Sequence, residues 1–263
     1  MLHNRGMLTV ATVITDPNFG PDRREKMEEH IHTFLRKRSV RALTKIISAD
    51  DPFKGSEKLI EAYGLGKLFP NTVILGDSKN EEHLEKYCNM INHFYDINRN
   101  VILLRSTDNG EDEDVAVFGE RKRIDLWWGG FKGNGGLMMI LSYLLQKSIR
   151  WRNAQIRLKI GLDNEEAEED VRKNINSILD EIRIEAQVDI IALNGRSFDQ
   201  VLRETSQGAD LIILGLATPN ENYTDYYKKI HDMTEDLPTT LFVLAGQDIS
   251  FGDVLIPQDT MKG

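Results

Sequence analysis

The glycines that follow two tryptophans between residues 123 and 145 are the first residues whose type and spacing could do chemistry. They stand in the sequence RIDLWWGGFKGNGGLMMILSYLL. Glycine-rich loops can cradle phosphates, but a Walker A loop needs a lysine after its last glycine, and here Leu137 follows Gly136. The dinucleotide fingerprint G-x-G-x-x-G is also absent, because these glycines read G-x-x-G-x-G-G. We therefore interpret the glycines as a turn that leads into a buried helix.

The side chains that most often act as nucleophiles or metal ligands form no recognisable motif. Cys88 is the single cysteine, so the chain has neither a disulfide framework nor a cysteine metal cluster. None of the six histidines forms H-x-x-x-H, and no G-x-S-x-G nucleophile sequence occurs. The acidic stretch over 106–117 lacks the ligand spacing of an EF-hand and predicts a solvated turn around Asn109 and Gly110. The sequence predicts a protein that is not an enzyme, holds no metal and requires no cofactor.

Composition and charge exclude further classes of protein. The chain has 263 residues, 40% of them apolar, which is enough to bury the core of one large domain or two ordinary ones. The net charge is −9 and no long basic run occurs, which argues against nucleic acid as a partner. We interpret the one dense basic stretch, FLRKRSVRALTKI over 34–46, as the end of a helix whose dipole favours cations. The apolar stretch Leu137–Leu145 has nine residues and is too short to cross a bilayer.

Strand-like and helix-like patterns alternate along the chain and indicate an α/β fold. Apolar residues of helical period predict helices between the first four strands, and further helices over 164–183, 197–207 and 222–235. Continuous apolar strands separated by helices are typical of a parallel sheet that is covered on both faces. The predicted strands are Leu8–Ile14, Leu43–Ser48, Thr72–Gly76, Val101–Arg105, Val115–Phe118, Ile156–Leu162, Val188–Leu193, Leu211–Leu216 and Thr240–Ala245. Because the alternation restarts near residue 150, we predict two consecutive α/β units, residues 1–149 and 150–263.

Two groups of aromatic residues could contact a partner. If 124–128 is extended, Trp127 and Trp128 point to opposite faces, so that both pack inside or one meets a partner. The sequence NENYTDYY places Tyr223, Tyr226 and Tyr227 after a predicted strand. Tyrosine suits interfaces because it is large, stiff and amphipathic. These tyrosines are predicted either to form a dimer face or to cover their own sheet.

Three blocks of the sequence resemble the cytosolic C-terminal domain of the cation-chloride cotransporter family. One block, GLGKLFPNTVILG over 64–76, resembles the family's Gly-Leu-Gly and Asn-Thr-Val sequence, and another, over 209–246, is similar to its closing unit. The most specific block combines an Asp-x-Trp-Trp strand end, a Gly-Gly turn, a leucine-rich helix and a Trp-Arg pair. Its residues are Asp125, Trp127, Trp128, Gly135, Gly136, Leu137, Leu144, Leu145, Trp151 and Arg152. The long acidic insertion of animal members is absent between 193 and 209, which resembles a compact prokaryotic-type member.

The resemblance implies a fold of two universal-stress-protein-like units that dimerise beneath the cell membrane, on its cytoplasmic side. It implies a regulatory and dimerisation domain of an electroneutral sodium- or potassium-chloride symporter, whose transport domain belongs to the same polypeptide. Because some animal relatives hold an adenine nucleotide in the first half, the loops after the first three strands would form an ATP site. Those loops contain Thr15, Asp16, Ser48, Asp50, Gly76, Asp77 and Ser78. The alternative is a free-standing nucleotide-binding sensor of universal-stress type, although the nucleotide signature of those proteins fails at Tyr143.

Overall fold

The computed structural model describes residues 6–66, 68–78, 80–107, 120–129, 133–163, 168–182 and 184–247. Strands and helices alternate through these residues. The strands are β1 (Thr9–Ile14), β2 (Leu43–Ser48), β3 (Thr72–Gly76), β4 (Asn100–Arg105), β5 (Arg123–Trp127), β6 (Gln155–Leu162), β7 (Gln187–Ala192), β8 (Leu211–Gly215) and β9 (Thr240–Leu244). The helices are α1 (Pro21–Lys37), α2 (Pro52–Ala62), α3 (Leu84–Asp96), α4 (Asn134–Gln146), α5 (Glu168–Ile182), α6 (Phe198–Ser206) and α7 (Tyr223–Met233).

Seven of the described strands form one sheet in the order β3-β4-β9-β8-β5-β6-β7. Its neighbouring strands run parallel, except that β4 and β9 pair antiparallel, with Val101 opposite Leu244 and Arg105 opposite Thr240. β1 and β2 form a separate parallel pair. The mainly parallel sheet between helices confirms the predicted α/β class.

Helices cover both faces of the seven-stranded sheet and create two apolar cores. α4 and α5 pack on one face, where Leu126 and Met139 are fully buried. α3, α6 and α7 pack on the other face, around Phe94 and Phe242. This two-sided cover explains why the central strands consist of almost continuous apolar residues.

The strand order bears on where the two units divide. The predicted boundary at residues 149 and 150 falls between α4 and β6, yet β5 pairs with both β6 and β8. The strand order therefore favours a division between β4 and β5, because β5 is the central strand of the set β7-β6-β5-β8-β9. Below, the first unit means β1–β4 with α1–α3, and the second unit means β5–β9 with α4–α7.

Two sequence predictions fall outside the described residues, namely the strand Val115–Phe118 and the turn at Asn109 and Gly110. Residues 130–132 of the glycine-rich loop also lie outside them. None of the helices that the structure describes combines the length and the apolarity needed to cross a membrane.

Candidate functional site

A hollow of about 810 Å³ lies at the carboxyl ends of β1 and β2. Four residues predicted for a nucleotide site line it, and they are Thr15, Asp16, Ser48 and Asp50. Three lysines, Lys45, Lys54 and Lys58, line it as well. Ligands of α/β proteins commonly bind at the carboxyl ends of parallel strands, so this hollow is the candidate binding site of the first unit.

Asp16 is held by its own loop at the rim of this hollow. Its carboxylate accepts a hydrogen bond from the backbone N–H of Asn18 at 2.8 Å and pairs with Arg23 at 2.6 Å. The backbone hydrogen bond, followed by that from Arg23, lowers the pKa of Asp16 below its ordinary value. The carboxylate is therefore ionised at neutral pH, and it would repel a phosphate.

Asp51 occupies the N-terminus of α2, beside the same hollow. Its carboxylate accepts hydrogen bonds from the backbone N–H groups of Phe53 at 2.9 Å and Lys54 at 3.1 Å, and pairs with Lys86 at 2.7 Å. Lys86, and then the backbone donors, lower the pKa of Asp51. Free N–H groups at a helix N-terminus bind anions, but here two of them already donate hydrogen bonds to the Asp51 carboxylate.

The remaining residues predicted for the nucleotide site, Gly76, Asp77 and Ser78, do not line the hollow. The carbonyl of Gly76 accepts a hydrogen bond from the Tyr87 hydroxyl at 2.7 Å. The side chain of Asp77 is only 4% exposed. The structure therefore brings four of the predicted residues together and places the loop after β3 elsewhere.

Asp77 joins the first unit to α7 of the second unit. Its carboxylate pairs with Arg105 of β4, with 2.6 Å between Arg105 Nε and Asp77 Oδ2. On the α7 side, the Tyr227 hydroxyl donates a hydrogen bond to Asp77, and His231 Nε2 lies 3.3 Å from it. Arg105 also donates to the hydroxyl of Thr234 at 2.7 Å. We call these residues the inter-unit cluster.

Asp125 is fully buried in the middle of β5 and lies at the centre of a second polar cluster. Arg123 donates to both of its carboxylate oxygens at 2.7 Å, and the Ser206 hydroxyl donates at 2.8 Å. Lys159 Nζ lies 3.6 Å from the carboxylate and donates to the carbonyl of Thr205 at 3.1 Å. Burial lowers the pKa of Lys159, and the nearby Asp125 opposes that shift. A buried charge is tolerated only when it is paired, and Asp125 meets that condition.

The two tryptophans extend from β5 to opposite faces of the sheet, as alternation along a strand predicts. Trp127 belongs to the core around α6, where its indole N–H donates to Ser206 at 3.0 Å. Trp128 belongs to the core around α4. Both are at most 6% exposed, so they pack within a single chain.

Asn134, at the start of α4, is hydrogen-bonded to the residues that follow β8 and β9, near the point where the strand order of the second unit reverses. Its amide group donates to the carbonyl of Leu216 at 2.6 Å and accepts from the backbone N–H of Ala245 at 2.8 Å. A Cβ atom at Gly215 would lie 2.9 Å from the Asn134 amide nitrogen, so the side chain sits directly against β8. The side chain thus occupies part of the carboxyl edge of the sheet, where ligands of α/β proteins commonly bind.

Comparison with known proteins identifies the family of this chain. The model of solute carrier family 12 matches residues 1–120 and 113–197. The chain belongs to solute carrier family 12. It is 27% identical to mouse solute carrier family 12 member 3 in an alignment of 179 residues that covers 58% of this chain and 18% of that protein. It is 23% identical to rice cation-chloride cotransporter 1 in an alignment of 185 residues that covers 68% of this chain and 18% of that protein.

Two solved structures confirm the predicted fold. The cytoplasmic domain of a prokaryotic cation chloride cotransporter has a TM-score of 0.65 at 15% identity and covers 95% of this chain and 89% of its own. A universal stress protein from Archaeoglobus fulgidus has a TM-score of 0.55 at 14% identity and covers 93% of this chain and 88% of its own. The chain spans less than a fifth of the length of the mouse and rice relatives.

The family motif residues occupy structural positions in this member of solute carrier family 12. Gly135 and Gly136 are buried in the first turn of α4, and Trp151 packs against the core beneath that helix. Together with Asp125 and the two tryptophans, they fix the centre of the second unit.

The predicted tyrosine face requires a correction. Tyr223 and Tyr227 are each 2% exposed and lie in the core around α3 and α7. Tyr226 is half-buried, and its hydroxyl accepts a hydrogen bond from the backbone N–H of Ala217 at 2.8 Å. Two of the three tyrosines are therefore inaccessible to a partner, because α7 turns them towards its own sheet.

The partners of the buried aspartates were missed from the sequence. Arg105 and Lys159 end or interrupt apolar strands, and a charge inside such a run is a signal of a buried pair. Burial raises the pKa of the Cys88 thiol to about 11, which makes it a poor nucleophile. Among the described residues, no group of three or more His, Cys, Asp or Glu side chains is arranged to hold a metal ion.

Proposed function

We propose that the chain is the cytosolic regulatory and dimerisation domain of an electroneutral symporter that carries sodium or potassium with chloride. The family match over residues 1–197 is the observation that carries this proposal. The likeness to the cytoplasmic domain of a prokaryotic cation chloride cotransporter supports it. The transport domain would belong to the same polypeptide, and this domain would lie on the cytoplasmic side of the cell membrane and catalyse no reaction.

The connection between the two units suits a regulatory domain. β4 and β9 join them through backbone pairing, and the inter-unit cluster joins β4 and the loop after β3 to α7 through buried side chains. Because both links are buried and hydrogen-bonded, a displacement of one unit moves the other. A signal received by one unit would thus reach a transport domain attached to the other.

Ion flux through the full-length protein tests the symport proposal. The protein would be reconstituted in vesicles, with and without the residues of this domain, and cation uptake would be measured with and without chloride. We expect chloride-dependent uptake that generates no membrane potential, at a rate that changes when the domain is removed. Uptake that is independent of chloride, or that charges the vesicle, would refute the assignment.

Dimerisation follows from the family resemblance and has its own test. Tethering to a membrane protein raises the effective concentration of the domain, so a modest interface suffices in the full-length protein. The isolated chain is therefore expected to dimerise only at high concentration, with the second unit contributing most of the contact. Sedimentation equilibrium over a wide concentration range measures this, and a monomer at every concentration would count against it.

A nucleotide-binding sensor is the second candidate, and the hollow of the first unit favours it. Its volume of about 810 Å³ is in the range of small-molecule sites. In the structure, the Asp16 carboxylate and the capping of α2 by Asp51 disfavour the binding of a phosphate in this hollow. Calorimetry with ATP tests whether the hollow binds a nucleotide: saturable binding that is lost in Lys45→Gln plus Lys58→Gln would support such a site, whereas the absence of binding would count against the sensor. ATP turnover is not expected from either function.

A further inference from the structure

Exposed apolar side chains gather at one end of the first unit. Ten large apolar residues are exposed among those the structure describes, and six of them lie at the end of α1 or where β1, β2 and β3 begin. These six are Met7, Phe34, Leu43, Leu65, Leu68 and Phe69. Leu65 is 82% exposed and Leu68 is 64% exposed, which are unusual values for leucine. A concentration of exposed apolar surface in one place marks an interaction site.

Direct contacts join these residues into one surface. The backbone N–H of Leu43 donates to the carbonyl of Leu8 at 2.8 Å, which places the starts of β1 and β2 side by side. The hydroxyls of Thr9 and Tyr63 are 3.0 Å apart, which connects β1 to the loop before β3. We call this surface, from the end of α1 to the loop before β3, the basic-apolar edge.

The loop before β3 holds its leucines outwards by a tight turn. Leu65 and Leu68 exchange two backbone hydrogen bonds, of 2.8 and 3.0 Å. Gly66 has a φ of 60°, in the left-handed region that favours glycine. A Cβ atom at Gly64 would lie 2.6 Å from the carbonyl oxygen of Leu68, so the turn also needs glycine there. The turn is thus built to present two leucines to the surroundings.

Cations surround these apolar side chains although the whole chain has a net charge of −9. The sequences 34–49 and 63–76 contain no acidic residue. Arg36 and Arg41 line an open hollow of about 800 Å³ in the connection between α1 and β2. Arg38 stacks on Phe34 at 3.9 Å, and Arg99 stacks on Phe69 at 4.3 Å.

Carboxylates also lie near this surface, at the ends of α2 and α3. Glu61, at the end of α2, pairs with His93 at 2.8 Å. Asp96 ends α3, on the side of β4. Arg36 and Arg41 are exposed, and the segment 34–49 that contains them has no acidic residue.

We infer that the basic-apolar edge docks on an anionic lipid bilayer. Exposed leucines flanked by arginines are the combination by which proteins bind the surface of a bilayer, with apolar side chains in the interface and cations at the phosphates. A nucleic acid would match the arginines but not the protruding leucines. The inference also assigns a ligand, the lipid phosphates, to the dense basic stretch over 34–46. The sequence alone explains that stretch by the dipole of α1. The inference concerns the chain alone and holds whether or not it regulates a symporter.

Vesicle sedimentation with the 263-residue chain tests the inference. The probes are vesicles of phosphatidylcholine and vesicles of an equal mixture with phosphatidylglycerol. We expect binding to the anionic vesicles that weakens as salt is raised, and little binding to the neutral ones, because salt screens the arginines. Equal binding to both vesicles, or binding to neither, would overturn the inference.

Two variants and their matched controls locate the contact. Removing two cations in Arg36→Gln plus Arg41→Gln should lower the partition coefficient about thirtyfold, and Leu65→Ser plus Leu68→Ser about tenfold. The controls Lys147→Gln plus Arg152→Gln, and Ile149→Ser, lie before β6, and they should bind normally. That region is at the opposite end of the sheet, because β4 and β9 are antiparallel.

The variants also distinguish other occupants of the edge. All these substitutions are at exposed positions, so an unchanged melting temperature shows that the variants remain folded. If the leucine variant binds vesicles normally but no longer self-associates in sedimentation equilibrium, the edge is a contact between two copies and the lipid inference is wrong. An equal loss of vesicle binding in the controls would also refute it.

Discussion

Asp77 and Asp125 are both buried aspartates, but they hold together different parts of the molecule. The partners of Asp125 are Arg123, Lys159 and Ser206, which all belong to the second unit. Asp77 has Arg105 in the first unit, whereas its other partners come from α7 of the second. The same chemistry thus stabilises one unit in the first case and the connection between units in the second. The two sites should therefore fail in different ways when their carboxylates are removed.

The largest effect is expected from Asp125→Ala. The substitution leaves the buried Lys159 and the partly buried Arg123 without their common anion, and breaking a buried ion pair in this way costs about 3–5 kcal/mol of folding free energy. Because the cluster lies at the centre of β5, the whole second unit should lose stability. Urea unfolding followed by circular dichroism measures the loss.

Lys159→Met is the matched control for that substitution. It removes one of two cations and leaves the bidentate pair of Arg123 with Asp125 in place. The side chains are similar in size and burial already lowers the pKa of this lysine, so we expect a change within about 1 kcal/mol. A loss as large as that of Asp125→Ala would mean that Lys159, rather than Arg123, is the essential partner of the aspartate.

Asp77→Ala should have a more local effect. It leaves one buried cation, Arg105 of the first unit, without its anion, and it removes the hydrogen bond that connects Tyr227 of α7 to the first unit, which contributes about 1.5–3 kcal/mol. We expect hydrogen exchange to rise in α7 and in β3 and β4, whereas β5, β6 and β7 stay protected. Mass spectrometry of exchanged peptides provides the measurement, and uniform loss of protection in both units would contradict an inter-unit role.

Tyr227→Phe removes a single hydrogen bond of the inter-unit cluster. The Tyr227 hydroxyl donates to a carboxylate, so its loss should cost about 1.5 kcal/mol. The neighbouring Tyr226→Phe removes a bond to a backbone N–H of a half-exposed loop and should cost less than about 1 kcal/mol. Thermal unfolding of both variants shows which hydroxyl contributes more to stability. A larger loss in Tyr226→Phe than in Tyr227→Phe would mean that the stronger hydrogen bond lies outside the inter-unit cluster.

The sequence predicted the fold because local patterns carry most of its information. β2 and β3 have the predicted bounds, Leu43–Ser48 and Thr72–Gly76, since β-branched and apolar residues there stand between turn and helix signals. The order of the strands was not predictable in this way, because the alternation of residues along a strand does not indicate which strand lies beside it. For that reason the central position of β5, which favours a division of the units before residue 123, is seen only in the structure.

The candidate sites were predictable only in part, for a related reason. Thr15, Asp16, Ser48 and Asp50 meet because β1 and β2 are neighbours in a parallel pair, and the sequence predicted the parallel direction of these strands. Asp77 instead meets Tyr227, which is 150 positions away in sequence, and no local pattern contains that contact. The burial of Tyr223 and Tyr227 had a sequence signal that was missed, since positions four apart share one face of a helix.

An exposed aspartate should behave unlike both buried ones when the pH is lowered. Asp51 caps α2, and Lys86 with two backbone N–H groups lowers its pKa in the folded chain. A lowered pKa means that the folded state binds this proton less tightly than the unfolded state does. The ionised carboxylate therefore stabilises the fold fully above the ordinary pKa of roughly 4, and this stabilisation is lost as the pH falls through the pKa of the folded chain.

Asp51→Asn keeps a good helix cap, but its side chain does not titrate. We therefore expect the melting temperature of the variant to lie slightly below that of the unmodified chain at neutral pH, with the difference shrinking under acid. Glu29→Gln removes an exposed charge of α1 and serves as the control, for which the difference should stay small throughout. If the difference in melting temperature between Asp51→Asn and the unmodified chain grows as the pH falls, the carboxylate is stabilised less by Lys86 and the helix than the geometry indicates.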